Sequence, residues 1–202
     1  MHQQDLFDQP GRIELDDESW LLWYPEFYPL HHATDLYDCI ENTLAWSQLP
    51  VTMFGRKLLQ PRLQAWHGDH EYTYSGLTLP PSPMPDVLNE IKSECEKVSQ
   101  ATFNSVLVNY YRDGCDYMGW HQDNEKELGE TPVIASVSLG ETRRFVLRHL
   151  KTKEKKEFEL NSGSMLVMGG RTQTFWQHTV PKTAKPRRGR INLTYRKIIS
   201  NH

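Results

Sequence analysis

From residue 105 onward the chain is a succession of short runs rich in β-branched and aromatic residues. No other feature narrows the fold as much. SVLVNYY (105–111), VIASVSL (133–139), RFVLRHL (144–150), SMLVMG (164–169), TFWQHTV (174–180) and RINLTYRKI (190–198) follow one another, separated by loops holding Gly, Pro, Asp or Lys. Short strands in series predict a sandwich, a barrel or a jelly roll. Helical patterns come first. From Thr34 to about Trp46, Leu36, Ile40 and Leu44 recur at helical spacing, with Thr34 as the expected N-cap. In 85–99, Leu88, Ile91, Cys95 and Val98 form one stripe behind Pro85. Helices before strands predict an α+β class, with the helices layered on one face of the sheet. Residues 50–83 read as strands and loops rich in Pro, Gly, Tyr and Trp, where recognition residues often lie. The charged segment 151–156 reads as a hairpin connection.

With 202 residues, the chain has room for one domain and little for a second core. No apolar run approaches 18 residues, so no membrane helix is expected. The N-terminus lacks a basic segment followed by an apolar run, so no secretory signal is expected either. Cys39, Cys95 and Cys115 lie far apart without a CxxC, as in reduced intracellular proteins. The expected compartment is the cytoplasm in a bacterium, with the nucleus as the eukaryotic alternative. A monomer is the default expectation. The net charge of −3 hides an asymmetry. Residues 1–50 hold ten acids and one base, whereas 51–202 hold 16 acids and 22 bases. The excess of bases is compatible with an anionic partner.

Three segments carry the chemistry. In GWHQDNE, His121 and Asp123 are two apart, which on an extended strand puts both side chains on one face. His178, in TFWQHTVP, lies on another predicted strand. Two imidazoles and one carboxylate make the facial triad of non-haem Fe(II) oxygenases, which leaves metal positions open. His67 and His70 are a rival pair without a third ligand and read as loop surface. In RINLTYR, Arg190, Asn192, Thr194 and Arg196 alternate with Ile191, Leu193 and Tyr195. One face is cationic and hydrogen-bonding, the other apolar. Inward-facing guanidinium groups need anions, and Arg suits carboxylates, so the pair can hold the two ends of a small dicarboxylate. Structural salt bridges are the alternative for the arginines, and zinc hydrolysis for the triad.

Together NYYRDGCDYMGWHQDNE, IASVSLG, WQHTVP and RINLTYRK resemble the AlkB family of Fe(II)- and 2-oxoglutarate-dependent dealkylases. PRLQAWHGDHEYTYSGLTL resembles its nucleotide-recognition region, and MFGR and TYSG resemble the branch with the vertebrate repair members. The resemblance spans roughly 50–198. It implies a double-stranded β-helix, or jelly roll, with an added N-terminal nucleotide-holding layer. The division expected within a single domain is an acidic lead-in (1–50), a nucleotide-recognition layer (51–100) and a catalytic core (101–199). The resemblance makes His121, Asp123 and His178 the ligands of Fe(II). It assigns Arg190, Asn192 and Tyr111 to the distal carboxylate of 2-oxoglutarate, and Arg196 and Asn109 to its iron-proximal end. It stacks a flipped base between His121 and Tyr74, or alternatively Trp66, lined by Tyr72 and Ser75. It places Glu125 at the base's exocyclic amine and Phe54 as a wedge in the base stack. Arg56, Lys57, Arg62, Lys182, Lys185, Arg187 and Arg188 are candidate phosphate contacts.

The implied activity is oxidative demethylation of 1-methyladenine and 3-methylcytosine in single- or double-stranded DNA, with RNA as a further substrate. It uses Fe(II), 2-oxoglutarate and O2 and releases formaldehyde, succinate and CO2. Two other functions share parts of this pattern: an oxygenase of the same cofactor class acting on a protein or small molecule, and a non-catalytic nucleic-acid-binding jelly roll.

Overall fold

The computed structural model describes residues 9–53, 56–74, 77–185 and 187–199; the side chains of 51–57 and 72–77 are outside the description. In chain order the elements are β1 (Gly11–Glu14), β2 (Ser19–Tyr24), α1 (Leu30–Thr43), β3 (Pro50–Met53), β4 (Arg56–Leu59), β5 (Leu63–Gly68), β6 (Tyr72–Tyr74), β7 (Leu77–Leu79) and α2 (Asp86–Ser99). Then come β8 (Ser105–Tyr111), β9 (Met118–His121), a 3-10 turn (Lys126–Leu128), β10 (Ile134–Gly140), β11 (Arg143–His149), β12 (Lys155–Leu160), β13 (Ser164–Gly170), α3 (Thr172–Phe175), β14 (Trp176–Val180) and β15 (Arg190–Arg196).

Two antiparallel sheets make the jelly roll. The larger has the order β1-β2-β13-β10-β15-β8-β5 and the smaller β12-β11-β14-β9. Alternation along the strands sorts residues into two cores. Ala135, Val137 and Leu139 of β10, with Ile191, Leu193 and Tyr195 of β15, pack outward against Ala33, Leu36 and Ile40 of α1 and Leu88, Ile91 and Cys95 of α2. Inward-facing Leu21, Trp23, Ile134, Leu166 and Met168 meet Phe145, Leu147, Phe158, Leu160 and Trp176 of the smaller sheet. The larger sheet is therefore covered on both faces, and its central strands are buried almost throughout. The helices sit on one face of the sheet, as predicted.

Some local expectations change. The first helix begins at Leu30 behind Pro29, so Thr34 lies inside it. The Thr34 hydroxyl donates back to the Leu30 carbonyl (2.9 Å) instead of capping the helix. A strand, Lys155–Leu160, begins within the segment read as a connection; the turn before it has Lys153 at φ 63°. Ser19–Tyr24, inside the acidic lead-in, is a full member of the larger sheet and pairs with β13. At that junction Gly170 has φ +62°, and a Cβ there would stand 2.1 Å from the Glu18 carbonyl oxygen. Only glycine meets both demands. The same hairpin reaches the smaller sheet, where Trp176 Nε1 donates to Asp16 Oδ2 (2.7 Å). Among the described residues, no helix is long and apolar enough to cross a membrane.

Candidate metal centre and anion cavity

His121 ends β9, the edge strand of the smaller sheet, and pairs directly across from His178 of β14. This register brings the two rings to 4.1 Å between centroids. Asp123 is placed differently from the sequence expectation. The strand ends at His121, and Asp123 stands in the irregular segment that follows. Tertiary contacts fix it there instead of a β-ladder. Even so, ligand-type atoms of His121, Asp123 and His178 all lie within 4.8 Å of one another.

The ring of His121 is oriented by the Gly119 carbonyl, 2.9 Å from Nδ1. A carbonyl only accepts, so the proton sits on Nδ1 and the Nε2 lone pair faces Asp123 Oδ1 at 3.7 Å. Arg196 Nη2 donates to Asp123 Oδ2 (2.9 Å). Asp123 Oδ1 and His178 Nδ1 are both buried without a hydrogen-bond partner among the described residues. Two nitrogens and one carboxylate oxygen, with buried acceptor capacity to spare, fit a borderline-hard divalent metal such as Fe(II). Burial opposes ionisation of Asp123, but Arg196 and the two imidazoles outweigh it and hold the carboxyl well below the usual range. Burial, reinforced by His121, pulls His178 down to about 3. Its imidazole is thus neutral, the state a metal requires.

These shifts set a sign for stability. As pH falls below 6.5 the unfolded chain protonates a histidine that the folded chain keeps neutral down to about 3. The depressed Asp123 adds loss in the same direction at lower pH. The metal-free protein is expected to denature at lower guanidinium concentration near pH ~5 than near pH ~7.5. An unchanged or higher midpoint at the lower pH would contradict this arrangement.

Behind the triad lies a cavity lined by Arg62, Asn109, Tyr111, Ser136, Arg190, Asn192, Thr194 and Arg196, with Leu107, Phe145 and Leu160 as apolar wall. The alternation read from RINLTYR holds: its polar members face the cavity and its apolar members face the helices. Arg190 is only 1% exposed. Its Nη2 donates to Ser138 Oγ (2.9 Å), and its Nε and Nη1 have no hydrogen-bond partner among the described residues. Burial lowers its pKa to about 10, so it remains a cation. Arg143 adds to the positive field around Tyr111; the two guanidinium carbons lie 5.7 Å (Arg143) and 5.2 Å (Arg190) from that ring's centroid. A buried cation with two open donors fits a carboxylate. Asn192 lines the same wall with its donors engaged, to Ser136 Oγ (2.8 Å) and the Val137 carbonyl (3.0 Å).

The sequence matches the 2OG-Fe(II) oxygenase superfamily over residues 20–196. The chain belongs to that superfamily. This 2OG-Fe(II) oxygenase is a dioxygenase that uses Fe(II), 2-oxoglutarate and O2. It is 40% identical over 208 residues to the mouse protein "Alpha-ketoglutarate-dependent dioxygenase alkB homolog 3", covering 96% of this chain and 72% of that one. It is 43% identical over 159 residues to human "DNA oxidative demethylase ALKBH2", covering 74% of this chain and 61% of that one. The solved structure described as "The structure of OsALKBH1" superposes with a TM-score of 0.61 at 20% identity, over 93% of this oxygenase and 100% of that chain, and so shares its fold.

Other predicted residues of the oxygenase fall in varied places. Asn109 lines the cavity, and its Oδ1 accepts from Arg62 Nε (2.7 Å) and Gln64 Nε2 (3.1 Å). Arg62, expected at a phosphate, is instead 2% exposed inside the cavity. Pro61 and the period-two run Arg62, Gln64, Trp66 carried that signal, as Ser136 and Ser138 did within IASVSLG. Trp66 is buried at 8% and packs in a core cluster with Leu107, Leu128 and Ile198; it is not itself among the residues lining the cavity. Glu125 is half-buried at the start of the 3-10 turn. Tyr72 and Tyr74 lie on β6, with side chains outside the description, and Phe54 and Ser75 lie outside the described residues. Of the other basic candidates, Arg187 pairs with Glu141 (3.0 Å), Lys182 sits 4.5 Å over the Tyr117 ring, and Lys185 and Arg188 are exposed. Arg56 and Lys57 have side chains outside the description. His67 is on β5, its Nδ1 2.6 Å from the Pro83 carbonyl.

Proposed function

We propose that this dioxygenase removes alkyl groups from ring nitrogens of nucleic-acid bases. Its substrates are 1-methyladenine and 3-methylcytosine in single- or double-stranded DNA, with RNA as a further substrate. Bound Fe(II), with 2-oxoglutarate and O2, would supply the oxidising chemistry, and formaldehyde, succinate, CO2 and the unmodified base would be the products. The observation that carries the reading is the shared strand β15. Arg196 bonds the carboxylate of the triad, and Arg190, on the same face, presents open donors in the same cavity. A dicarboxylate cosubstrate and a metal centre are thus accommodated by one wall. The relatives named DNA oxidative demethylases direct the substrate choice to nucleic acid.

In this reading His121, Asp123 and His178 hold Fe(II). Arg190 and Tyr111 take the distal carboxylate of 2-oxoglutarate, with Asn192 bracing the wall. Arg196 and Asn109 stand at the iron-proximal end. His121 keeps 21% of its side chain exposed, enough to offer a ring edge or face to a base. Tyr74 supplies the opposite face, with Tyr72 and Ser75 lining, Glu125 near the exocyclic amine and Phe54 as wedge. An N-alkylated adenine or cytosine is a cation, so aromatic faces and a carboxylate favour it over the unmodified base.

The test places the same 3-methylcytosine in single-stranded DNA, duplex DNA and RNA at one fixed salt concentration, because phosphate contacts make affinity salt-dependent. Formaldehyde and cytosine are expected from at least one DNA form. Failure with all three, while 2-oxoglutarate is still consumed, would move the chain to a protein or small-molecule substrate.

A further inference from the structure

Asp123 is a proposed ligand without a strand to hold it, and this raises the question of what does. Its backbone N–H donates to Gln173 Oε1 (2.9 Å). Gln173 is 2% exposed and belongs to the short helix α3, which precedes His178. The contact is reciprocal. Gln122, the residue between His121 and Asp123, donates through Nε2 to the carbonyls of Gln173 (2.7 Å) and Thr174 (3.2 Å). The turn that receives these bonds is itself anchored. The Thr172 hydroxyl donates to the Gly169 carbonyl (2.6 Å), and Leu150 N–H donates to the Phe175 carbonyl (2.8 Å). Gln173 Nε2 finishes on Met168 Sδ (3.3 Å), a weak acceptor that adds little competition.

We propose that Gln173 is a positioning residue for the metal centre: its side-chain oxygen fixes the backbone of Asp123 so that the carboxylate meets the two histidines. The inference rests on the metal-centre reading above. Arg196 sets the rotation of the carboxylate from one end, and Gln173 sets where its backbone stands. The same α3 turn leads directly into β14, so it ties the loop ligand to the strand that bears His178. Groups that orient ligands are commonly worth about 10- to 100-fold in metal affinity.

The experiment measures Mn(II) binding to the full chain by the electron paramagnetic resonance signal of free Mn(II), alongside thermal melting of the metal-free protein. Gln173→Met keeps the volume and removes the acceptor; Gln173→Glu keeps an acceptor oxygen. Positioning predicts that Gln173→Met weakens Mn(II) binding by about 10- to 100-fold, with Gln173→Glu closer to the wild type. A mere packing role predicts the reverse order, because methionine fills the site and a buried carboxylate does not suit it. Gln122→Ala, at a half-buried position, reads the same clamp if Gln173→Met does not fold, and weaker binding is expected there too. Wild-type affinity in Gln173→Met or, should that variant not fold, in Gln122→Ala overturns the proposal, as does the reversed order. A wild-type chain that binds no Mn(II) overturns the metal centre itself, and this inference with it.

Discussion

Replacing Asp123 by alanine is expected to drop turnover of 3-methylcytosine DNA below about one-thousandth of the wild-type rate, since several kcal/mol of barrier lowering are lost with the metal. Stability should fall as well. Asp123 and Arg196 form a buried pair at 2.9 Å, and removing one member of such a pair costs about 3 kcal/mol or more. The two effects separate in Asp123→Asn. The amide oxygen still accepts from Arg196, so most of the fold stability should remain while the ligand charge is gone. Assay of both variants by product analysis, with guanidinium denaturation beside it, reads the two losses independently. Full turnover in Asp123→Ala would remove the metal assignment.

Arg190→Met should act with opposite signs on two measurements. Arg190 is a cation almost wholly out of water, with two nitrogens unbonded among the described residues. Exchanging such a charge for an apolar side chain of similar length is often neutral or stabilising. The metal-free variant is therefore expected to melt no lower than the wild type. Under the proposed role, the same change removes the charge-assisted partner of the distal carboxylate, a loss of about 2–5 kcal/mol, or roughly 30-fold or more in the KM for 2-oxoglutarate. An unaltered KM would return Arg190 to a structural role. A marked fall in melting temperature would show that the cavity wall needs the guanidinium for its own packing.

What the sequence displayed and what it hid follow from the range of the interactions involved. The strand series and the two faces of RINLTYR were legible because period-two alternation is local and the larger sheet is covered on both sides. The helix stripe at Leu88, Ile91 and Cys95 was legible for the same reason. Thr34 misled because a hydroxyl that bonds the carbonyl four residues back fits inside a helix as well as before it. SWLLWY is masked by acidic neighbours, and the strand that ties it into the larger sheet beyond β1 is β13, far along the chain. Arg62 was misjudged because charge alone predicts exposure, whereas its place inside depends on Asn109 across the strand pair. Gln173 gave no signal at all: its partner is a backbone N–H fifty residues away.

The strand order of the larger sheet also bears on how the chain reaches this state. β2 pairs with β13 and β5 with β8, and β15 lies between β10 and β8. The neighbours of most strands are therefore remote in sequence, a pattern that slows folding because long loops must close before any pairing is rewarded. During synthesis the β1–β2 hairpin has no partner for the other edge of β2 until residues 164–170 have emerged, and the gap between β10 and β8 stays open until β15 arrives. β15 is also the strand that carries Arg190, Asn192 and Arg196. Closure of the sheet and completion of the anion cavity are thus one kinetic event, late in folding, and a chain stalled before it exposes two unfilled β-edges, the usual starting point for aggregation.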